Sequence, residues 1–160
     1  MIITGIVLLA ISFRSLEATQ FGIRYNAYSK QIDETKIYEE GTYYLGPGVR
    51  FIKFPIEVKS INFPSSEFAV RSRDGMKLFI SVSLQYKLSK KLDVTLQLLR
   101  KYGEDNYEPV IKKVAQDTVR TTASSFDLEK YVYNRQEVSN SMNTNLAAQM
   151  TNLGVALENF

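Results

Sequence analysis

Cysteine, histidine and tryptophan are all absent from the 160-residue sequence. Because there is no cysteine, the chain cannot form a disulfide, a thiolate nucleophile, an iron–sulfur cluster or a thiolate zinc site. Because there is no histidine, it has no imidazole base and no Ser-His-Asp triad. Catalysis by this chain would therefore depend on carboxylate pairs or on a metal site made of oxygen ligands.

The carboxylates show no arrangement that is typical of catalysis or metal binding. Acidic neighbours occur at Asp33-Glu34, Glu39-Glu40 and Glu104-Asp105, but adjacent side chains point to different sides of the chain. The ligand spacing of an EF-hand is absent. The glycines of "LGPG" (45–48) flank a proline, whose nitrogen cannot donate a hydrogen bond to a phosphate. We therefore expect a protein that is not an enzyme and that uses no cofactor and no metal.

The net charge is small, +3 at pH 7, and it comes from 20 Lys and Arg against 17 Asp and Glu. The cations are divided equally, with ten in residues 1–80 and ten in residues 81–160. A nucleic-acid surface needs basic residues clustered on one face, and this sequence has only isolated pairs such as Lys90-Lys91. The charge pattern predicts a mixed, solvated surface and no nucleic-acid partner.

An apolar segment occupies residues 2–13 and carries no charge. Twelve helical residues rise about 18 Å, whereas crossing the bilayer core needs about 20 residues. No Lys or Arg precedes Arg14, so the basic region of a secretory signal is missing. The segment is either a buried strand or core helix, or a membrane-inserted segment that ends at Arg14. We favour the second reading and predict an anchor over residues 1–14, followed by one domain over residues 15–160.

The first half of the chain after Arg14 shows the two-residue period of β-strands. Residues 17–26 predict a first strand, and residues 56–63 predict a strand with a β-bulge or a bend near Lys59, where the apolar parity changes. Asp74-Gly75 predicts the turn of a hairpin over residues 67–88. In its second arm, apolar residues from Met76 to Leu88 keep one parity, which predicts a single strand with one buried face.

The second half shows the period of helices. Residues 92–102 predict a helix ended by Gly103, Pro109 suits the first turn of the next helix, and the last helix is predicted to start at Asp127 or Asn134. Apolar residues at helical spacing follow on two stripes: Val110, Ile111, Val114, Thr118, Val119 and Thr122, then Val138, Met142, Leu146, Met150 and Leu153. Residues 155–160 alternate as a final strand. The order predicts an α+β fold: one twisted antiparallel sheet with helices packed on one side.

The order of five motifs is the most informative feature of the chain. After the apolar segment come "EATQFGIRYN" (17–26) and "EEGTYYLGPGVRFIKFP" (39–55). They are followed by "RSRDGMKLFISVSLQYKL" (71–88), "YGEDNYEPVIKKVAQDTVR" (102–120) and "NRQEVSNSMNTNLAAQM" (134–150). From about residue 14 to residue 160, this order resembles the SPFH superfamily, also called band 7, which includes stomatins, prohibitins and flotillins. The fourth motif is more similar to the prohibitin branch than to the stomatin branch.

The resemblance implies a membrane-bound, non-enzymatic domain whose partners are membrane lipids and other membrane-protein subunits, in homo- or hetero-oligomers. We expect a scaffold or structural accessory subunit; the alternative is a regulatory module that controls a membrane enzyme, transporter or protease. In the family a long C-terminal coiled coil drives ring formation, and this sequence has no heptad repeat. We therefore expect part of a longer protein or a reduced accessory subunit. The prohibitin-like features favour the mitochondrial inner membrane, with the plasma membrane as the alternative.

The stretch "YYLGPGVRFIKFP" (43–55) has three interpretations, of which the third is a contact with a protein partner. In the first, Tyr43, Val49 and Phe51 face the interior of a sheet and are core residues. In the second, apolar side chains dip into lipid headgroups while cations meet phosphate, as the resemblance supports and as tyrosine suits. The residues predicted to contact the membrane, including the apolar segment, are Ile6, Val7, Leu8, Leu9, Ile11, Phe13, Leu45, Ile52 and Phe54. Those predicted to bind lipid headgroups are Arg14, Arg50 and Lys53.

Overall fold

The computed structural model describes residues 12–66 and 68–159, which form ten strands and four helices. The strands are β1 Phe13–Leu16, β2 Gln20–Asn26, β3 Gln31–Ile32, β4 Gly41–Tyr44, β5 Val49–Pro55, β6 Lys59–Phe63, β7 Ala69–Arg71, β8 Lys77–Phe79, β9 Val82–Leu88 and β10 Val155–Asn159. The helices are α1 Leu92–Tyr102, α2 Tyr107–Ala123, α3 Leu128–Tyr133 and α4 Arg135–Asn152. The predicted mixture of antiparallel strands and helices is confirmed.

The described strands form four small antiparallel sheets rather than the single sheet that the pattern predicted. Two of them have three strands, in the orders β3-β2-β5 and β10-β9-β6. The other two are the pairs β1-β4 and β7-β8. The single-sheet prediction was wrong because an alternating pattern reports which side chains are buried, and says nothing about which strands are neighbours.

The run from Met76 to Leu88, predicted as one strand, is interrupted at Ile80 and Ser81. β8 therefore pairs with β7 across the Asp74-Gly75 turn, as the hairpin prediction required, whereas β9 pairs with β6 and β10. The predicted buried face holds in β9, where Val82, Leu84, Tyr86 and Leu88 are buried, but Met76 is 53% exposed. One continuous pattern of apolar residues is thus divided between strands of two different sheets.

Of residues 56–63, predicted as a strand with a bulge or a bend, only Lys59–Phe63 form a strand, and Glu57 lies in a bend. β5 ends at Pro55 and β6 begins at Lys59. β6 pairs with β9 without a shift of register. The change of parity near Lys59 therefore reflects the bend between β5 and β6, and not a bulge within β6.

The chain divides into two compact units. Within the described residues, the first unit contains everything up to Glu57 together with Lys90–Leu96. The second unit contains Val58–Ser89 and the chain from Gln97 onward. Helix α1 accordingly begins in the first unit and ends in the second.

Aromatic side chains form much of the core of the first unit. A close approach at Gly22 makes this packing possible, because a Cβ atom there would lie 3.0 Å from Leu16 Cδ2 and 3.2 Å from Phe51 Cβ. Gly22 also exchanges two backbone hydrogen bonds of 2.8 Å with Tyr38. The buried cluster that results contains Leu16, Tyr38 and Phe51, with Tyr43 and Leu45 packed against it.

Helices pack on one another in the second unit. α4 contacts α2, α3 and β10, and its predicted apolar face is confirmed, since Val138, Met142, Leu146 and Met150 are buried. In α2 the buried residues include Ile111, Val119 and Thr122 from the predicted stripe, and also Ala115, which the prediction omitted.

The predicted helix ends are confirmed. Gly103 directly follows α1, as predicted, and Gly154 lies two residues after the last residue of α4; their φ angles are 80° and 76°. Pro109 lies in the first turn of α2. Asp127 and Asn134, predicted as alternative starts of one helix, each precede a helix of their own, α3 and α4 respectively.

Candidate functional site

The first described strand begins where the apolar N-terminal segment meets the folded body. β1 starts at Phe13 and pairs with β4, so that Phe13 lies directly opposite Tyr44. The two rings meet edge to face with their centroids 5.5 Å apart. Phe13 is 53% exposed and Tyr44 is 63% exposed. We call these two residues the Phe13–Tyr44 pair.

The alternation of side chains in β1 and β4 explains why this pair is exposed. Leu16 in β1 and Tyr43 in β4 point into the first-unit core, where Tyr43 contacts the rings of Tyr38 and Phe51. Side chains an odd number of residues apart in a strand point to opposite faces. Phe13 and Tyr44 therefore share the face that points away from the core.

Leu45 follows the pair and connects it to the core. Its N–H donates a 3.0 Å hydrogen bond to the carbonyl oxygen of Ser12, and its half-buried side chain packs against the cluster of Leu16, Tyr38 and Phe51. Leu45, predicted to contact the membrane, thus lies beside the exposed pair with only part of its side chain accessible. The predicted contacts at Ile6, Val7, Leu8, Leu9 and Ile11 lie outside the described residues.

Ile52 and Phe54 were predicted to contact lipid, but the structure places both in the core. Ile52 is 4% exposed and lies opposite Ile23 in the β2–β5 ladder. Phe54 is 1% exposed and stacks on Phe21 with ring centroids 5.4 Å apart. Side chains enclosed in this way offer no surface that lipid could reach, so this part of the stretch follows the core interpretation.

The three predicted headgroup residues are exposed but do not form one cluster. Arg50 and Lys53 lie on opposite faces of the β3-β2-β5 sheet, because they are three positions apart in a regular strand. Arg50 covers the ring of Tyr25 at 5.1 Å from its centroid, and Lys53 lies opposite Gly22. Arg14, in β1, lies opposite Tyr43 and next to the Phe13–Tyr44 pair in sequence.

A tight turn connects β4 to β5. Gly46 and Gly48 have φ angles of 84° and 76°, and glycine adopts this region without steric cost. The ring of Tyr28 lies against Gly48, where a Cβ atom would be 1.9 Å from its Cε2. Tyr28 is itself 78% exposed, so a third exposed aromatic ring belongs to the same unit.

Sequence reasoning included Phe13 but missed Tyr44 and Tyr28. Tyr44 had a detectable signal, since placing Tyr43 in the core requires its neighbour in a strand to point outward. Tyr28 had none, because it lies in a turn and its ring is held by contact with a distant glycine.

The titratable groups of the first unit offer little chemistry. The hydroxyl and backbone N–H of Thr35 donate to Asp33, and these hydrogen bonds lower the pKa of that carboxyl group. Within residues 12–66 and 68–159, no three acidic side chains come together as a metal site requires. In the same residues, no helix is both long enough and apolar enough to cross a membrane.

The family model described as SPFH domain / Band 7 family matches residues 14–160, which is almost the whole chain and includes both compact units. No curated protein matches the sequence. The match begins one residue after Phe13, at the point where the exposed aromatic pair meets the folded body.

Proposed function

The chain belongs to the SPFH domain / Band 7 family, and from this premise we propose that it is a non-enzymatic, membrane-anchored scaffold or structural accessory subunit of a larger membrane-protein assembly. Members of the family are generally membrane-associated and generally not enzymes. The proposed partners are membrane lipids and other membrane-protein subunits, which the domain would hold in place.

The observation that carries the proposal is the location of the Phe13–Tyr44 pair. Two aromatic rings are exposed at the residue where the apolar segment 2–13 enters the folded body. Phenylalanine suits the acyl boundary, and tyrosine suits the interface because one end of its ring is apolar and the other is polar. The pair is therefore placed to enter the lipid surface whenever the apolar segment is inserted.

The expected energy makes the pair an auxiliary contact. Burying a fully exposed aromatic side chain contributes roughly 1.5–3 kcal/mol, so two half-exposed rings would contribute about 2–3 kcal/mol together. That corresponds to about a 30-fold to 100-fold change in membrane partitioning. One contact of this size gives reversible binding, whereas stable attachment needs a second signal, which the apolar segment 2–11 would supply.

The finer assignments of the proposal rest on sequence similarity. Residues 102–120 support the prohibitin-like branch, and with it the mitochondrial inner membrane as the location. Imaging of the tagged full chain beside markers of the mitochondrial inner membrane and the plasma membrane tests this assignment. Signal at the plasma membrane would reject the mitochondrial location and leave the scaffold role unaffected.

Flotation of the full chain with liposomes tests the membrane contact. The F13S/Y44S variant removes both rings, and the F79S/Y133S variant is the matched control, because Phe79 and Tyr133 are 60% and 78% exposed in the second unit. Lipid is titrated so that partition coefficients can be compared. We expect F13S/Y44S to partition about 30-fold more weakly and the control to match the unaltered chain.

Two outcomes would overturn the proposal. Equal partitioning of F13S/Y44S and the unaltered chain, with circular dichroism showing both folded, would mean that the pair does not contact the membrane. The scaffold role is tested by the native mass of the detergent-extracted complex, which should exceed that of one chain. A full chain that is solitary and remains in the aqueous phase would contradict both parts.

A further inference from the structure

An open groove of about 600 Å³ lies within the second unit. Six consecutive residues, Leu78–Ser83, form one wall. Side chains of α3 and α4 form the other, among them Leu128, Val132, Arg135 and Val138. Because the first wall is an unbroken run of residues, the groove follows the backbone of β8 and its continuation rather than a single side-chain face.

The backbone of β8 has an edge without a strand partner in the described chain. β8 pairs only with β7. On the edge of β8 that faces β7, the Ser72 N–H donates to the Met76 carbonyl oxygen at 3.0 Å, and the Ile80 N–H donates to the Phe68 carbonyl oxygen at 3.3 Å. In an antiparallel ladder such bonded positions alternate with positions that point outward. The N–H and C=O groups of Lys77 and Phe79 therefore point away from β7.

Such an edge is a template for another extended chain. Backbone groups need hydrogen-bond partners, and an added strand supplies them more regularly than water does. Leu78–Ser83 would span at most about 20 Å when extended, at 3.3 Å per residue. The groove is thus long enough to hold a strand of about five residues.

The walls indicate the side chains that such a strand would carry. Phe79 and Val132, on opposite walls, are 60% and 57% exposed, while Val138 and Met142 are buried. Exposed apolar surface next to an open edge favours apolar residues in the occupant. Since alternate residues of a strand point to one face, the occupant would be apolar at every second position.

Arg135 adds a charge requirement. It is the charged side chain among the groove residues, and its Nε donates a 3.1 Å hydrogen bond to the Tyr131 carbonyl oxygen. Within the described residues it forms no ion pair. Its guanidinium can still bind a carboxylate through its remaining N–H groups.

We propose that this groove binds an extended segment of a partner protein, apolar at alternate residues and carrying a carboxylate that meets Arg135. The segment adds a strand to the outer edge of β8. The proposal gives the scaffold a docking site, yet it stands without the scaffold role, because its test uses no membrane. Failure of the liposome experiment and failure of the peptide experiment are therefore separate results.

The test measures binding of a fluorescein-labelled peptide, acetyl-Glu-Val-Thr-Val-Thr-Val-amide, to the full chain in detergent by fluorescence anisotropy. A matched peptide has Gln in place of Glu. Two further peptides carry N-methyl groups on alternate amides, one on each edge of the strand. We expect only one of these two to lose binding, because only one edge of an added strand faces β8.

Charge recognition is read from variants of the chain. R135Q should weaken the Glu peptide about threefold to tenfold and leave the Gln peptide unchanged, while R135K should restore part of the loss. K113Q is the matched control, since Lys113 is exposed on α2 outside the groove. Circular dichroism establishes that each variant is folded.

Because the chain has no cysteine, occupancy of the groove can also be measured with a single introduced thiol. In the F79C variant the new thiol is the only one in the chain, so its rate of alkylation reports access to the groove. The Glu peptide should slow alkylation. Four results would overturn the proposal: no peptide binding, equal binding of both N-methylated peptides, equal loss in R135Q and K113Q, or protection of the thiol by rising chain concentration alone. The last would mean that a second copy fills the groove.

Discussion

The two compact units bury their apolar residues in different ways. In the second unit, α2 and α4 each present one buried stripe, with Ile111 and Val119 on one helix and Leu146 and Met150 on the other. In the first unit, β5 buries both of its faces. Val49 and Phe51 lie on one face of that strand, and Ile52 and Phe54 lie on the other.

This difference explains the composition of "YYLGPGVRFIKFP". A strand that is buried on two faces needs apolar residues at consecutive positions. The exposed positions of β5 are occupied by the cations Arg50 and Lys53. The mixture of aromatic and basic residues therefore does not by itself indicate a membrane contact. The rings that we propose to contact lipid are those of the Phe13–Tyr44 pair in the β1–β4 sheet, which are exposed.

The largest expected effect comes from truncating one core residue in each unit. F54A should lower the free energy of unfolding by about 3–5 kcal/mol and L146A by about 2–5 kcal/mol, because each leaves a cavity at a fully buried site. Hydrogen exchange with mass spectrometry resolves where protection is lost. We expect F54A to expose β2 and β5 first, and L146A to expose α2 and α4 first.

The matched controls for this pair are F54L and L146M, which keep most of the side-chain volume and should cost less than about 1.5 kcal/mol. If each truncation reduced protection equally in both units, the units would unfold together and the comparison between them would not extend to stability.

A smaller effect is expected at the turn that precedes β5. G46A and G48A both place a Cβ at positive φ, which costs about 1 kcal/mol. Gly46 has no atom within 4 Å of that position, whereas G48A must also displace the ring of Tyr28. Urea unfolding at constant m-value should therefore show a larger loss for G48A.

The Y28A background provides the control for the glycine pair. With the ring removed, G48A and G46A should cost the same. A difference that persisted in this background would mean that the Tyr28 contact is not what distinguishes the two glycines.

The smallest effect under ordinary conditions is a pH dependence in the second unit. Burial, with a contribution from Glu108, raises the pKa of Tyr86 to about 12 and also raises the pKa of Tyr107. An unfolded tyrosine ionises near pH 10, so the stabilisation is complete below pH 10 and is lost as pH rises toward 12. Urea midpoints followed by circular dichroism should fall across this range.

Y86F should make that fall less steep, because phenylalanine has no proton to lose. Y133F is the control, since it changes an exposed tyrosine of the same unit. A slope that Y86F left unchanged would show that the loss of stability at high pH has another origin.

Local signals in the sequence were sufficient for the helices and for part of the strands. Gly103 and Gly154 end helices because they adopt a conformation that other residues avoid, and that property belongs to the residue itself. The alternation in β9 likewise reports its own buried face. The division of Met76–Leu88 between two sheets had no such signal, because the pairing of strands depends on residues that are distant in the sequence.

The candidate site was predicted in the same uneven way. Phe13 was included because it ends the uncharged segment; it is exposed, and its contact with the membrane stays a prediction. The prediction that Ile52 and Phe54 contact lipid was wrong, because the sequence around them does not show that Phe21 and Ile23 of β2 lie opposite them in the sheet. A strand that is buried on both faces has apolar residues at consecutive positions, and so does a segment that contacts lipid. The sequence pattern is therefore the same for both.

The close approach at Gly22 constrains how this protein can change over generations. A methyl group there must share space with Leu16 and with the backbone-proximal Cβ of Phe51, and only the leucine side chain can yield. G22A should therefore cost less stability in lineages that first acquire a smaller residue at Leu16. The two positions form an epistatic pair, in which the order of substitutions decides whether an evolutionary path remains open.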